Sequence, residues 1–193
     1  MCIINENLDT RHRVFISYHH ANDEYYKGFF ERACEDIFIN ESVMDGEYDS
    51  CLSDEYVKRL IREEKISLST VVVVLIGAET YKRKHVDWEI SAGLTEKAGG
   101  HSGLIGIILP TYYDNPENND LKKGRFYYKT IPARLSANVK SGYAQICTWD
   151  YAFDLDKNSE FKIKQFIEDA FKRKNSESDK INNSLKQMEE NEE

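Results

Sequence analysis

The chain has 193 residues, of which 40% are hydrophobic and 31% charged, and its formal net charge is −8 at pH 7. This length and composition are typical of one globular domain with a sizeable core, and no apolar run approaches the roughly 18 residues that a membrane span needs. The negative charge argues against binding to nucleic acid or to an anionic membrane, because either partner needs a basic face.

The N-terminal residues and the cysteines indicate the compartment. Residues 1–6 lack a basic region followed by an apolar core, so no secretory signal is visible. The four cysteines include no C-x-x-C pair, and Cys34 and Cys147 fall on apolar faces. We therefore expect reduced, buried thiols and a cytoplasmic location.

The first predicted elements alternate between strand and helix. A strand over residues 13–18 precedes a helix that Asp23 would cap, with apolar residues repeating at i, i+3, i+4 and i+7. Residues 39–43 predict a short second strand and residues 53–65 a second helix. The polar, acidic loop 44–50 lies between them.

The centre of the chain carries its clearest strand. Residues 71–76 have no polar face, which predicts a central parallel strand buried on both sides. A helix follows that carries Glu89 in its second or third turn. The remaining predicted elements are a strand over 104–109, a long polar and aromatic loop over 111–131, a strand over 144–149 and a helix over 161–171.

This alternation predicts an α/β fold, a single flavodoxin-like domain with a mainly parallel five-stranded sheet and helices on both faces. We place the domain at residues 12–172, after an N-terminal extension of residues 1–11. Residues 173–193 form a charged tail, expected to be a frayed helix or disordered. Ligands of such sheets bind outside the carboxyl ends of the strands, so the segment after Ile76 is the expected site.

Two activities of flavodoxin-like folds do not fit the loops at this edge. A flavodoxin needs a small Ser/Thr/Gly-rich loop after the first strand to offer N–H groups to a phosphate, and residues 18–23 are too bulky. A response-regulator receiver needs paired acids after the first strand and a phosphoacceptor Asp after the third, where this chain has Gly77.

Glu89 is the strongest catalytic candidate. A carboxylate near this edge can hydrogen-bond the hydroxyls of a ribose and stabilise positive charge that develops on a sugar ring. An isolated Glu on a helix is also commonly a solvent-facing side chain. The residue pattern leaves both interpretations open.

Three neighbouring features are each open to two interpretations. His85 shares a helix face with Glu89 and could orient it, or could make an ordinary surface contact. The cations at residues 82–84 oppose the helix dipole, so an anion such as a pyrophosphate could bind there, or the cluster could simply be solvated. The H-H-x-x-D pattern of residues 19–23 invites a metal, but no second cluster completes the coordination, and we predict no metal site.

Several segments resemble the Toll/interleukin receptor (TIR) superfamily, and within it the bacterial TIR-like branch that includes the Thoeris anti-phage protein ThsB. The likeness covers roughly residues 12–170. The segments that carry it are residues 14–19, 69–77, 81–90, 131–135, 138–139 and 141–144.

The resemblance implies a catalytic site. Catalytic TIR members cleave the nicotinamide–ribose bond of NAD with a Glu on the helix after the third strand, and that position falls on Glu89. The family usually has a Trp four residues earlier, where this chain has His85. The residues then expected to bind substrate are Ser17, Tyr18 and His19 at the end of the first strand, and Arg83, His85 and Trp88 near or on the helix.

The resemblance also implies partners. NAD would be a substrate and no cofactor would be needed. The product would be an ADP-ribose-derived nucleotide, cyclic or conjugated, that diffuses to a separate effector, and self-assembly through the loop 44–50 could switch the enzyme on. Two alternatives remain, a non-catalytic TIR-like assembly module and an enzyme similar to nucleoside deoxyribosyltransferases.

Overall fold

A computed structural model describes residues 11–42, 63–157 and 160–192. Within these ranges five strands form one sheet in the order β2-β1-β3-β4-β5, and every pair is parallel. The strands are β1 (His12–Ser17), β2 (Phe38–Asn40), β3 (Val71–Ile76), β4 (Gly103–Ile108) and β5 (Gln145–Thr148). The helices are α1 (His20–Ala33), α2 (Lys84–Leu94), α3 (Ala133–Ser141), α4 (Trp149–Ala152) and α5 (Lys162–Ser176).

Two hydrophobic cores lie on opposite faces of this sheet. The odd-numbered residues of β3 pack with Phe30 of α1 and Ile167 of α5. The even-numbered residues pack with Ile90 of α2 and Leu135 of α3. Because side chains alternate along a strand, a strand covered on both faces must be apolar throughout. The predicted flavodoxin-like α/β fold, with five parallel strands and helices on both faces, is confirmed.

Helix α1 begins earlier than the sequence predicts. The prediction that Asp23 caps it is wrong, because the helix begins at His20 and Asp23 lies within its first turn. The carboxylate of Asp23 instead accepts a hydrogen bond from Thr111, which follows β4, 88 residues later in the chain.

Helix α3 has no counterpart among the predicted elements. It ends at Gly142, whose φ of 88° lies in the left-handed region that glycine adopts without strain. Its buried residues include Arg134 and Asn138, so it lacks the apolar stripe that marks a helix in sequence. The predicted loop 111–131 contains two short 3-10 helices, Pro110–Asp114 and Pro116–Asn118.

The end of the chain packs against the domain. After α5 and a 3-10 turn, residues 181–192, which we call the C-terminal strap, run along α2 without helical structure. Asn183 Nδ2 donates to the main-chain oxygen of Ser91, and the main-chain N of Glu192 donates to the main-chain oxygen of Lys82. These hydrogen bonds hold the polar tail against the domain, although its composition predicts a frayed or disordered segment. The proposed division into residues 1–11, 12–172 and 173–193 stays a prediction.

Some predictions fall outside the described residues. They are the acidic loop 44–50, most of the N-terminal extension, and most of the predicted helix 53–65. The last three residues of that helix, 63–65, are described and belong to a helical segment that continues to residue 68. Cys34 and Cys147 are buried free thiols, as predicted, and burial raises the pKa of each to about 12. In the part of the chain that is described, no helix combines the length and apolar composition needed to cross a bilayer.

Candidate active site

Ser17 and Glu89 meet at the carboxyl edge of the sheet. Ser17 is the last residue of β1, next to the end of β3, and α2 carries Glu89 in its second turn. The hydroxyl of Ser17 donates to Glu89 Oε2 at 2.6 Å. Ser17 is fully buried and Glu89 is 5% exposed. A short, charge-assisted bond away from water holds the carboxylate in one orientation.

Packing of α2 aims Glu89 at β1. Val86 and Ile90 pack against the even-numbered residues of β3, so they fix the face that α2 presents to the sheet. At 100° per residue, Glu89 then lies on the flank of the helix that faces the end of β1. The apolar periodicity of α2 therefore sets the direction of its carboxylate.

Tyr18 faces the other side of the sheet. It is buried in the core with α1 and α5, and its hydroxyl donates to Glu24 Oε2 at 2.5 Å. Consecutive strand residues point to opposite faces, so Ser17 and Tyr18 cannot both face Glu89. The structure brings Ser17 to Glu89 and directs Tyr18 toward α1.

His19, two residues after Ser17, lies close enough to Arg83 to be affected by its charge. The Nη2 of Arg83 contacts Glu79 Oε2 at 3.1 Å, and Asn22 Nδ2 donates to the same oxygen at 3.1 Å. Burial, and then the charge of Arg83, lower the pKa of the half-buried His19 below its usual 6.5. The imidazole is therefore neutral at pH 7.

His85 and Trp88 lie together on α2. Their rings meet edge to face with centroids 5.3 Å apart. The indole Nε1–H of Trp88 donates to the main-chain oxygen of Met188 in the strap at 2.7 Å. Because adjacent helical residues are 100° apart, Trp88 points away from the flank that carries Glu89.

The strap also reaches the basic start of α2. The main-chain N of Lys84 donates to Asn191 Oδ1 at 3.0 Å. This N–H is at the start of α2, where the sequence is compatible with an anionic ligand. In the structure the side chain of Asn191 occupies this N–H.

Asp23, which the sequence offered as a helix cap and as part of the H-H-x-x-D pattern, is a buried carboxylate at this edge. Asp23 is fully buried and accepts hydrogen bonds from Thr111 Oγ1 at 2.9 Å and Thr80 Oγ1 at 3.4 Å. Burial raises its pKa. A Cβ added to Gly77 would lie 2.3 Å from Asp23 Oδ2, so only glycine permits this approach. The position of Gly77 directly after β3 was the available signal.

The H-H-x-x-D pattern does not gather into a ligand set. His20 lies against the ring of Tyr18, with centroids 4.3 Å apart, while Asp23 is directed at the two threonines. Among the residues that are described, no group of three or more His, Cys, Asp or Glu side chains could hold a metal ion.

A cleft of about 470 Å³ opens at the same edge, beyond the end of β3. This volume lies within the range of small-molecule sites. Glu89 is not one of the residues that line it. The lining residues include Asn22, Glu79, Tyr81, Lys82, Asn115 and Glu117.

The parallel sheet, its strand order and the carboxylate on the helix after β3 define this protein as a flavodoxin-like TIR domain. The chain belongs to the family described as Thoeris protein ThsB, TIR-like domain, because residues 15–114, just over half of its 193 residues, match that family's model. It is thus a defence-associated TIR domain, and the Thoeris context suggests an effector partner. A comparison with curated proteins gave no match.

Proposed function

We propose that this protein is an NAD-consuming enzyme of anti-phage defence, with Glu89 as its catalytic residue. The observation that carries the proposal is the buried bond between Ser17 and Glu89 at the carboxyl edge of the sheet. In open α/β sheets ligands bind at this edge, and membership in the ThsB family allows NAD cleavage in general.

The chemistry requires little beyond a positioned carboxylate. The bond between the nicotinamide nitrogen and C1″ of the ribose breaks with its electron pair going to the nitrogen, so the leaving nicotinamide becomes neutral and needs no general acid. Positive charge then develops on the ribose. Glu89 would hold the ribose hydroxyls and stabilise that charge more strongly in the transition state than in the ground state.

The nucleophile that attacks C1″ decides the product, and it releases its proton to solvent. Water gives ADP-ribose, a hydroxyl or base of the same molecule gives a cyclic product, and a second small molecule gives a conjugate. We propose a cyclic or conjugated nucleotide that diffuses to an effector, since the Thoeris context suggests an effector partner.

Binding of the rest of NAD would use the polar groups beside Glu89. Arg83 is paired with Glu79, which lines the cleft, neutral His19 lies within reach of the charge of Arg83, and Lys82 lines the cleft itself. An Arg and a Lys near a dinucleotide can balance the charge of its diphosphate. His85 shares the flank of α2 with Glu89 and is proposed to contact the nicotinamide side, and Trp88 is proposed to hold the His85 ring in place by the edge-to-face contact.

One observation favours a second candidate, a non-catalytic assembly module. Glu89 is 5% exposed and is not one of the residues that line the neighbouring cleft. A carboxylate with a purely structural role would have the same burial. Binding separates the two candidates. NAD or ADP-ribose should raise the melting temperature of an enzyme, because a ligand that binds only the native state must stabilise it.

The test is incubation of the purified protein with NAD, followed by liquid chromatography and mass spectrometry. We expect free nicotinamide and a partner product whose mass identifies hydrolysis, cyclisation or conjugation. An unchanged melting temperature in NAD, together with no nicotinamide either alone or in lysate of infected cells, would leave the assembly module.

A further inference from the structure

We propose that Arg134 is a positioning residue for Glu89, acting through Asp87; the inference rests on the function proposed above. Arg134 is in the first turn of α3 and is fully buried. Its Nε donates to Asp87 Oδ1 at 2.9 Å and its Nη2 to Asp87 Oδ2 at 3.2 Å. Two parallel bonds from a planar guanidinium fix direction as well as distance.

Asp87 and Glu89 lie on opposite flanks of α2. Two residues along a helix correspond to a rotation of 200°. With Val86 and Ile90 facing the sheet, Asp87 points toward α3 and Glu89 toward β1. The helix is therefore held from both sides, by Arg134 on one flank and by Ser17 on the other.

The strap reinforces the Arg134 side of this arrangement. Nη1 of Arg134 donates to Asn183 Oδ1 at 2.8 Å, and the main-chain N of Met188 donates to Asp87 Oδ2 at 3.0 Å. All three guanidinium nitrogens of Arg134 therefore donate hydrogen bonds. The bond from Met188 to Asp87 also ties α2 directly to the strap. Such a network allows a single arrangement of α2, α3 and the strap.

Rotation of α2 about its own axis is the motion that this network resists. Side-chain ends lie about 5–6 Å from a helix axis, so a rotation of about 10° would move the Glu89 carboxylate by about 1 Å. A displacement of about 1 Å in an active site can cost about 100-fold in rate. The apolar contacts with the sheet are less directional than hydrogen bonds, so the ion pair is the better suited to set this angle.

The first variant is Arg134→Lys, which keeps the buried cation but cannot make two parallel bonds to Asp87. We expect kcat for nicotinamide release to fall about 10- to 100-fold, with KM for NAD within about threefold of wild type. Arg173→Lys is the matched control: the half-buried Arg173 of α5 donates to the main-chain oxygen of Tyr143, a partner outside α2, and the variant should keep the wild-type kcat.

The second readout does not depend on activity. In a crystal structure of Arg134→Lys, the distance from Ser17 Oγ to Glu89 Oε2 should lengthen from 2.6 Å to beyond hydrogen-bonding range. If Arg134→Lys does not fold, Asn183→Ala removes the third partner of Arg134 and leaves the ion pair; it should lengthen the same distance and lower kcat to a smaller degree.

The outcomes separate the two proposals. Wild-type kcat with an unchanged Ser17–Glu89 distance in the folded variant overturns the positioning role. A wild-type protein that releases no nicotinamide overturns the proposed function, and the crystallographic distance then decides the positioning role alone. A parallel loss of kcat in Arg173→Lys would show a general effect of replacing a guanidinium and would also overturn the positioning role of Arg134.

Discussion

The indole Nε1–H of Trp88 donates to the main-chain oxygen of Met188 at 2.7 Å, across a sequence separation of 100 residues. This bond ties the helix that carries Glu89 to the C-terminal strap. The strap also bonds Ser91 and the main-chain N of Lys84, so it follows α2 along its length. The charged tail is thus part of the environment of the candidate site.

Ending the chain after Lys180 should therefore destabilise the domain and expose Trp88. Each lost hydrogen bond is worth about 0.5–1.5 kcal/mol of net stability. In a Trp149→Phe background, where Trp88 is the remaining tryptophan, its fluorescence maximum should shift to longer wavelength. An unchanged maximum and melting temperature would mean that the strap does not cover Trp88 in solution.

Ser17→Ala should impair both stability and NAD cleavage, because it leaves a buried carboxylate without this donor. We expect a stability loss of about 1–3 kcal/mol and at least about a tenfold fall in nicotinamide release. The matched control is Ser69→Ala, two residues before β3 begins. That serine is also buried and donates to the main-chain oxygen of Ile66. Its loss should lower stability and leave turnover unchanged; equal turnover in the two variants would contradict the role of Ser17.

Gly77→Ala should destabilise the protein by about 1–3 kcal/mol, as overpacking of a close contact does. The added methyl would lie 2.3 Å from Asp23 Oδ2 and would displace a carboxylate that accepts hydrogen bonds from Thr80 and Thr111. Gly99→Ala is the control, because nothing lies within 4 Å of a Cβ there. Chemical denaturation measures both; similar free energies of unfolding would contradict the observed approach of Asp23 to Gly77.

Arg83→Gln should raise the pKa of His19. The charge of Arg83 lowers that pKa, and its removal also leaves Glu79 without its cation, so both changes favour the imidazolium. Titration of the His19 ring protons by NMR measures the shift. Lys164→Gln removes an exposed cation on α5 that is paired with Glu160. This control should leave the pKa of His19 unchanged. A lower His19 pKa in Arg83→Gln would show that the two groups do not interact as described.

The fold was predictable from sequence where one local pattern determines one element. The run from Val71 to Ile76 predicted the central strand, and the helix after it placed Glu89 at the carboxyl edge. Ser17 was predictable as a neighbour because parallel strands end at one edge. The alternation of strand residues could also have separated it from Tyr18.

The missed features depend on contacts between distant residues. Helix α3 buries an arginine whose partner, Asp87, lies 47 residues earlier in the chain, so its sequence shows no apolar stripe. The strap is polar, and its role depends on acceptors in α2 that are about a hundred residues away. The composition of such a polar segment predicts flexibility, because composition does not reveal the distant hydrogen-bond partners of its polar groups.

The most direct test of the central proposal is the rate of nicotinamide release from NAD by wild type and by Glu89→Gln under identical conditions. The substitution keeps the size of the side chain and removes its negative charge. We predict a fall of about 100-fold or more in kcat, with a melting temperature close to that of wild type. Equal rates in the two folded proteins would contradict the assignment of Glu89 as the catalytic residue.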